Sequence, residues 1–201
     1  MSDAIAVLDH FQLDKAWAVG HSWGGHLALH LLISHPERLE GIVCIDPVGA
    51  FDIFEEYGEV LDRQRRPEQN ARTKEIEERR RCGEVTEEEL LERWAITWPL
   101  FFVDPACALE LPERVGARCA ADTNTSIMAH FEKGTLEGAL PQASLPAFFI
   151  HGREDPIPLR SATDTAGLIP GAKIEIIADC GHFPWLEKPA EFRAAVERFL
   201  N

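Results

Sequence analysis

The chain has 201 residues, 45% of them hydrophobic, which suits one domain or one domain carrying an insertion and is too apolar for a disordered segment. Its formal net charge of −14 argues against a nucleic-acid backbone or an anionic membrane surface as partner. No apolar run approaches the length of a membrane span, and "MSDAIAVLDHFQLD" lacks the basic start of a secretory signal, so a soluble, cytoplasmic protein is expected.

Residues 4–12 predict a helix with Ile5, Leu8 and Phe11 near one face, and Ala16 to Gly20 predict a short buried strand. After it, Leu27, Leu31 and Leu32 form a helical stripe that stops before Pro36. "GIVCID" (41–46) is a second apolar run, too brief for a helix and bounded by Gly41 and Pro47. Short apolar strands joined by amphipathic helices predict an α/β fold, a mostly parallel sheet covered by helices on both faces.

From about residue 51 to 142 charge rises, no convincing strand occurs, and helical segments follow one another. "TEEELLERWAITWPLFF" carries a capping box, Thr86 with Glu89, ahead of an apolar stripe. The dense charges here, including Arg79, Arg80 and Arg81 among glutamates, read as solvated helix faces. Strands return with "PAFFIHG" (146–152) and "AKIEIIAD" (172–179), and a last helix carries Phe192, Val196, Phe199 and Leu200. The expected organisation is a core of 1–50 and 143–201 with a helical cap inserted as 51–142.

Gly20-His21-Ser22-Trp23-Gly24 fits G-x-S-x-G, with a strand before it and a helix after it. A serine raised on so tight a turn sits in strained backbone, and glycines at 20 and 24 remove the expected side-chain collisions, while Gly25 lets the helix pack closely. A serine nucleophile needs a base, and the base needs an orienting acid, in the chain order serine, acid, histidine. Asp155 in "HGREDPIP" and His182 in "DCGHFPWLEKP" each follow their own strand, in that order. Glu154 and Asp46 are rival acids. The five cysteines (44, 82, 107, 119 and 180) are scattered without a C-x-x-C pair, which fits reduced thiols, with Cys180 as buried filler near His182. His26 and His30 have a metal-compatible spacing but no third ligand or H-E-x-x-H pattern, and no phosphate-binding loop occurs; no metal and no cofactor are expected.

On "GHSWGG", "HGREDPIP" and "GHFPWLEKP" the whole chain resembles the α/β-hydrolase superfamily. The resemblance implies Ser22 as nucleophile, Asp155 as acid, His182 as base, and the backbone amide of Trp23 as one oxyanion donor. It also implies more strands than are present: the elbow at residue 22 leaves roughly the first four without a counterpart, along with the loop that carries the second oxyanion donor. A chain begun internally, or one completed by a partner, is therefore the expectation, with the strand at 16–20 as an apolar edge through which copies self-associate.

Within the superfamily, "GHSWGG" and the cap sequence "WPLFFVDPACA" look most like proline iminopeptidase-like hydrolases. That resemblance implies a small-molecule or short-peptide substrate, with Glu132 as a group for its free amine and Trp94 and Trp98 as pocket walls. Surface solvation for Glu132 and helix packing for the tryptophans are the competing roles. Carboxylic-ester hydrolysis uses the same triad. A different class stays open too, a catalytically weak or inactive chain acting as a binding or regulatory module.

Overall fold

The computed structural model describes residues 1–108 and 134–200. Helix α1 (Ser2–His10) leads to strand β1 (Ala16–His21), helix α2 (Trp23–Ser34) and strand β2 (Leu39–Ile45). Helices α3 (Phe54–Gln64), α4 (Pro67–Arg81) and α5 (Glu87–Thr97) follow, and short α6 (Thr135–Ala139) precedes strand β3 (Ala147–Gly152). Helix α7 (Arg160–Leu168), strand β4 (Lys173–Ile177), short α8 (Pro184–Glu187) and α9 (Pro189–Leu200) complete it.

The four strands form one wholly parallel sheet in the order β1-β2-β3-β4. Residues along β2 and β3 alternate between two apolar layers, as the two-residue repeat of a strand requires. Ile42, Cys44, Ala147 and Phe149 face a cluster with Leu29, Leu32, Ala162 and Ile169. Val43, Ile45, Phe148 and Ile150 face the other cluster, with Ala195, Trp17 and Phe199. Burial on both faces explains why these strands read as unbroken apolar runs. Each fully buried side chain of this size adds roughly 1.5–3 kcal/mol of transfer free energy.

Two helical stripes differ from expectation. Helix α2 buries Gly25, Ala28, Leu29 and Leu32 against the sheet, and Leu27 turns outward, 43% exposed. Helix α1 buries no residue and ends at His10, leaving Phe11 66% exposed beyond it. Short-range periodicity reports that a helix is amphipathic, whereas the angle at which it meets the sheet selects the buried stripe.

Between β2 and β3 the regular elements among the described residues are all helices, and the capping box forms: Thr86 N–H donates to Glu89 (2.9 Å) and Glu89 N–H to Thr86 Oγ1 (3.2 Å). Leu136 of α6 and the following Leu140 are buried in the cluster beneath the sheet together with Leu29 and Ala166. No described helix is long and apolar enough to cross a membrane.

Candidate active site

Strand β1 ends at His21 and α2 begins at Trp23, so Ser22 alone turns the chain, at φ 55° and ψ −118°. Such a conformation costs a non-glycine residue of order 1–3 kcal/mol and persists only where the surroundings impose it. They do so here. Ser22 N–H donates to the Ile45 carbonyl (2.9 Å), and the Ser22 carbonyl accepts from Gly25 N–H (3.0 Å) and Val48 N–H (3.1 Å). Ser22 stands at the N-cap position of α2, yet its side chain makes no capping hydrogen bond. A serine placed merely to start a helix would make one.

The glycines divide unevenly. A Cβ on Gly20 would lie 2.0 Å from the Gly24 carbonyl oxygen, and one on Gly25 would lie 2.7 Å from Pro47 Cβ. A Cβ on Gly24 would meet nothing within 4 Å, so the collision expected there is absent. Gly24 contributes the backbone atom that crowds Gly20.

His182 is 4% exposed, and its Nδ1 lies 2.7 Å from Asp155 Oδ2. A carboxylate accepts, so Nδ1 carries the proton and Nε2 is left with its lone pair, the form a general base requires. Burial lowers the His182 pKa to about 4, against the pull of Asp46 and Glu187, so the imidazole is neutral at neutral pH. Asp155 also accepts from Ile157 N–H (2.8 Å).

The rival acids are engaged elsewhere. Glu154 accepts from Cys180 N–H at 3.0 Å. Asp46, fully buried, accepts from Gly152 N–H (2.7 Å) through Oδ1, and its Oδ2 has no hydrogen-bond partner among the described residues. An Asp46 oxygen nevertheless lies within 4.8 Å of ligand-type atoms of Asp155 and His151, and of His21 and His182. Burial pushes both carboxyls up, but the Ile157 N–H and Asp46 draw Asp155 back down while Asp155 raises Asp46 further. The two carboxyls thus titrate as a coupled pair, each held above the usual carboxylate range by burial. Among the described residues, these make up the two trios whose geometry could hold a metal ion, His21–Asp46–His182 and Asp46–His151–Asp155. Within them His21 Nε2, His182 Nδ1 and Asp46 Oδ1 are already committed to protein partners. Cys180 is buried, and burial pushes its thiol up, away from the reactive thiolate.

Three groups support His182 in a way their motifs did not reveal. His21 Nε2 donates to the His182 carbonyl at 2.8 Å. Phe101 accepts from His182 N–H at 2.8 Å and lays its ring 4.9 Å from the imidazole. Glu187 accepts from Gly181 N–H (3.0 Å) and Val103 N–H (2.9 Å), tying the histidine loop to the segment that follows α5. Each partner lies far along the chain or in an unremarkable loop, so only tertiary structure brings it in.

A cavity of about 810 Å³ opens beside these residues, lined by Ser22, Trp23 and His182 on the sheet side and by α3, α4 and α5 above. Trp94 and Trp98 line it, as does Phe101, whereas Glu132 lies outside the described residues. Arg80 and Arg81, expected on a solvated face, also line it; Arg80 is paired with Glu77 at 2.7 Å.

Residues 1–195 match the family model described as "Alpha/beta hydrolase family". The chain is 32% identical to the 2-hydroxymuconate semialdehyde hydrolase of Pseudomonas putida, covering 98% of this chain and 66% of that protein. It is 28% identical to esterase YbfF of Escherichia coli, covering 99% of this chain and 72% of that one. The crystal structure of proline iminopeptidase from Mycobacterium smegmatis superposes with a TM-score of 0.63 at 20% identity, over 98% of this chain and 69% of that one. The chain thus spans about two thirds of the length of these three proteins.

Proposed function

The chain belongs to the alpha/beta hydrolase family, and from that premise we propose that it cleaves carboxylic esters as a serine hydrolase, with Ser22, His182 and Asp155 as its triad. One observation carries the reading. Ser22 is held at φ 55° with its hydroxyl unused by the helix, in the same cavity as a neutral histidine bonded to a buried carboxylate.

In this proposal Ser22 Oγ attacks the acyl carbon while His182 Nε2 takes the hydroxyl proton. Asp155 holds Nδ1–H and stabilises the imidazolium that forms. The developing oxyanion is met by the Trp23 amide and by the positive end of α2; a donor of this kind is worth about 10²–10³ in turnover. His182 returns the proton to the leaving alcohol, and a water molecule, activated the same way, releases the acid from Ser22. Residues 51–142 act as a cap, whose Trp94 and Trp98 form apolar walls for the substrate.

The aminopeptidase variant of this reading needs a carboxylate for a substrate amine. Among the described cavity residues the carboxylates are Asp62 and Glu77. Asp62 is already paired with Lys74 (3.0 Å) and Glu77 with Arg80 (2.7 Å). The described cavity residues thus supply no unpaired carboxylate for an amine, and the aminopeptidase variant rests on Glu132, which lies outside the described residues.

A fluorophosphonate probe, mapped by mass spectrometry, tests the proposal. An adduct on Ser22 that disappears in His182→Ala supports a working triad. A folded chain that takes no adduct overturns it in favour of a non-catalytic binding module.

A further inference from the structure

Within the cavity the described lining residues include five cations (Arg65, Lys74, Arg80, Arg81 and Arg93) against two carboxylates, in a chain whose net charge is −14. Most of these cations have partners or reach solvent. Arg65 is different. It follows the last turn of α3, and its side chain is only 7% exposed. Its Nη2 donates to Thr97 Oγ1 at 2.9 Å, and its Nη1 reaches Asp62 only at 3.5 Å, a carboxylate shared with Lys74. Its Nε–H is buried with no partner among the described residues. A guanidinium kept out of water with an unpaired donor is costly, and the long pairing with Asp62, a half-exposed carboxylate shared with Lys74, offsets its charge only in part. Guanidinium groups of this kind suit planar oxyanions, which accept from two N–H groups at once. The Tyr57 hydroxyl, kept protonated by burial, is a further donor on the same wall.

We propose that Arg65 docks an ionised carboxylate of the substrate, so that the ester cleaved at Ser22 carries a second, free acid group. This rests on the hydrolase reading for what happens at Ser22 but not for the docking itself. The carboxylate can sit on the acyl side or on the alcohol side of the ester, and the test separates the two.

The measurement is kcat/KM for monophenyl adipate (acid on the acyl side) and 4-carboxyphenyl hexanoate (acid on the alcohol side), each divided by the value for neutral phenyl hexanoate. In Arg65→Gln one of these ratios should fall at least tenfold, carried by KM, and Arg65→Lys should restore part of it. The ratio that falls identifies the acid's side. If all three esters lose activity together and both ratios stay within twofold, Arg65 is a structural residue and the assignment is wrong. Calorimetry of adipate with the parent chain and with Arg65→Gln reads the docking without catalysis. Tenfold weaker binding by the variant supports the assignment even if no ester turns over and Ser22 takes no label, an outcome that would sink only the hydrolase reading. Equal or absent adipate binding in both proteins overturns it.

Discussion

His182 Nδ1 stands 2.7 Å from Asp155 Oδ2, while the neighbouring Asp46, equally buried, turns its Oδ1 to the Gly152 amide instead. Two carboxyls thus share one polar pocket with different duties. Asp155→Asn removes the acceptor that fixes the imidazole tautomer and should lower kcat by about 10⁴. Asp46→Asn keeps a carbonyl oxygen for Gly152 and should cost at least a hundredfold less. Rates with phenyl hexanoate check the pair; equal losses would contradict the division of duties, and a larger loss in Asp46→Asn would make Asp46 the acid.

The pH profile follows from the burial of His182. Protonated imidazole cannot accept the Ser22 proton, so activity requires pH above the histidine pKa. Burial lowers that value from 6.5 to about 4, so kcat/KM should rise on an acid limb well below pH 6.5 and stay flat through neutrality. A limb centred at 6.5 or above would show an imidazole open to solvent.

Gly20 and Gly24 should answer differently to the same substitution. Gly20→Ala forces a Cβ to within 2.0 Å of the Gly24 carbonyl oxygen, an overpacking of backbone that should cost roughly 1–3 kcal/mol and displace Ser22. Gly24→Ala meets nothing within 4 Å and should leave the melting temperature within a degree or two of the parent. Thermal denaturation of both variants gives the comparison, and equal shifts would contradict it.

Glu187 joins the His182 loop to Val103, and removing its carboxylate strands two backbone donors. Glu187→Ala should destabilise by about 1–3 kcal/mol, and kcat should drop with KM nearly constant, because the base is held less firmly. Glu187→Gln keeps an oxygen acceptor and should recover most of both. If kcat is untouched while stability falls, the contact does not position the base.

Strand β1 pairs with β2 on one side only among the described residues, and Val19 on it is 60% exposed. Unpaired apolar edges associate, and a charge on them blocks it. Light scattering should show mass rising with concentration, with Val19→Lys keeping the lower mass. A parent chain that stays monomeric at millimolar concentration would refute the edge contact.

Much of this was readable in the residues because the signals are local. The strands betray themselves as apolar runs, since burial on both faces leaves no polar position in "GIVCI". The elbow is legible because glycine is demanded at 20, where backbone meets backbone. Other features left no local trace. Helix α4 is charged on nearly every side and buries only Thr73 and Ile76, so its composition could not say that Arg80 and Arg81 border a cavity. Nor does anything around Arg65 mark it off from the arginines in solvent.

The amino-acid sequence by itself determined the α/β class, the strained serine between strand and helix, and the order serine, acid, histidine along the chain. Only the tertiary structure decided which of three carboxylates meets His182, which groups brace that histidine, and that five cations against two carboxylates border the cavity among its described residues. The physical reason is distance along the chain. His21 and His182 are 161 positions apart, and Asp46 and Gly152 are 106. They meet because parallel pairing sets His21 beside Ile45, Ile45 beside Ile150, and Gly152 beside Ile177, which brings the carboxyl ends of four strands to one edge of the sheet. That register is a property of the whole sheet, and no single segment encodes it.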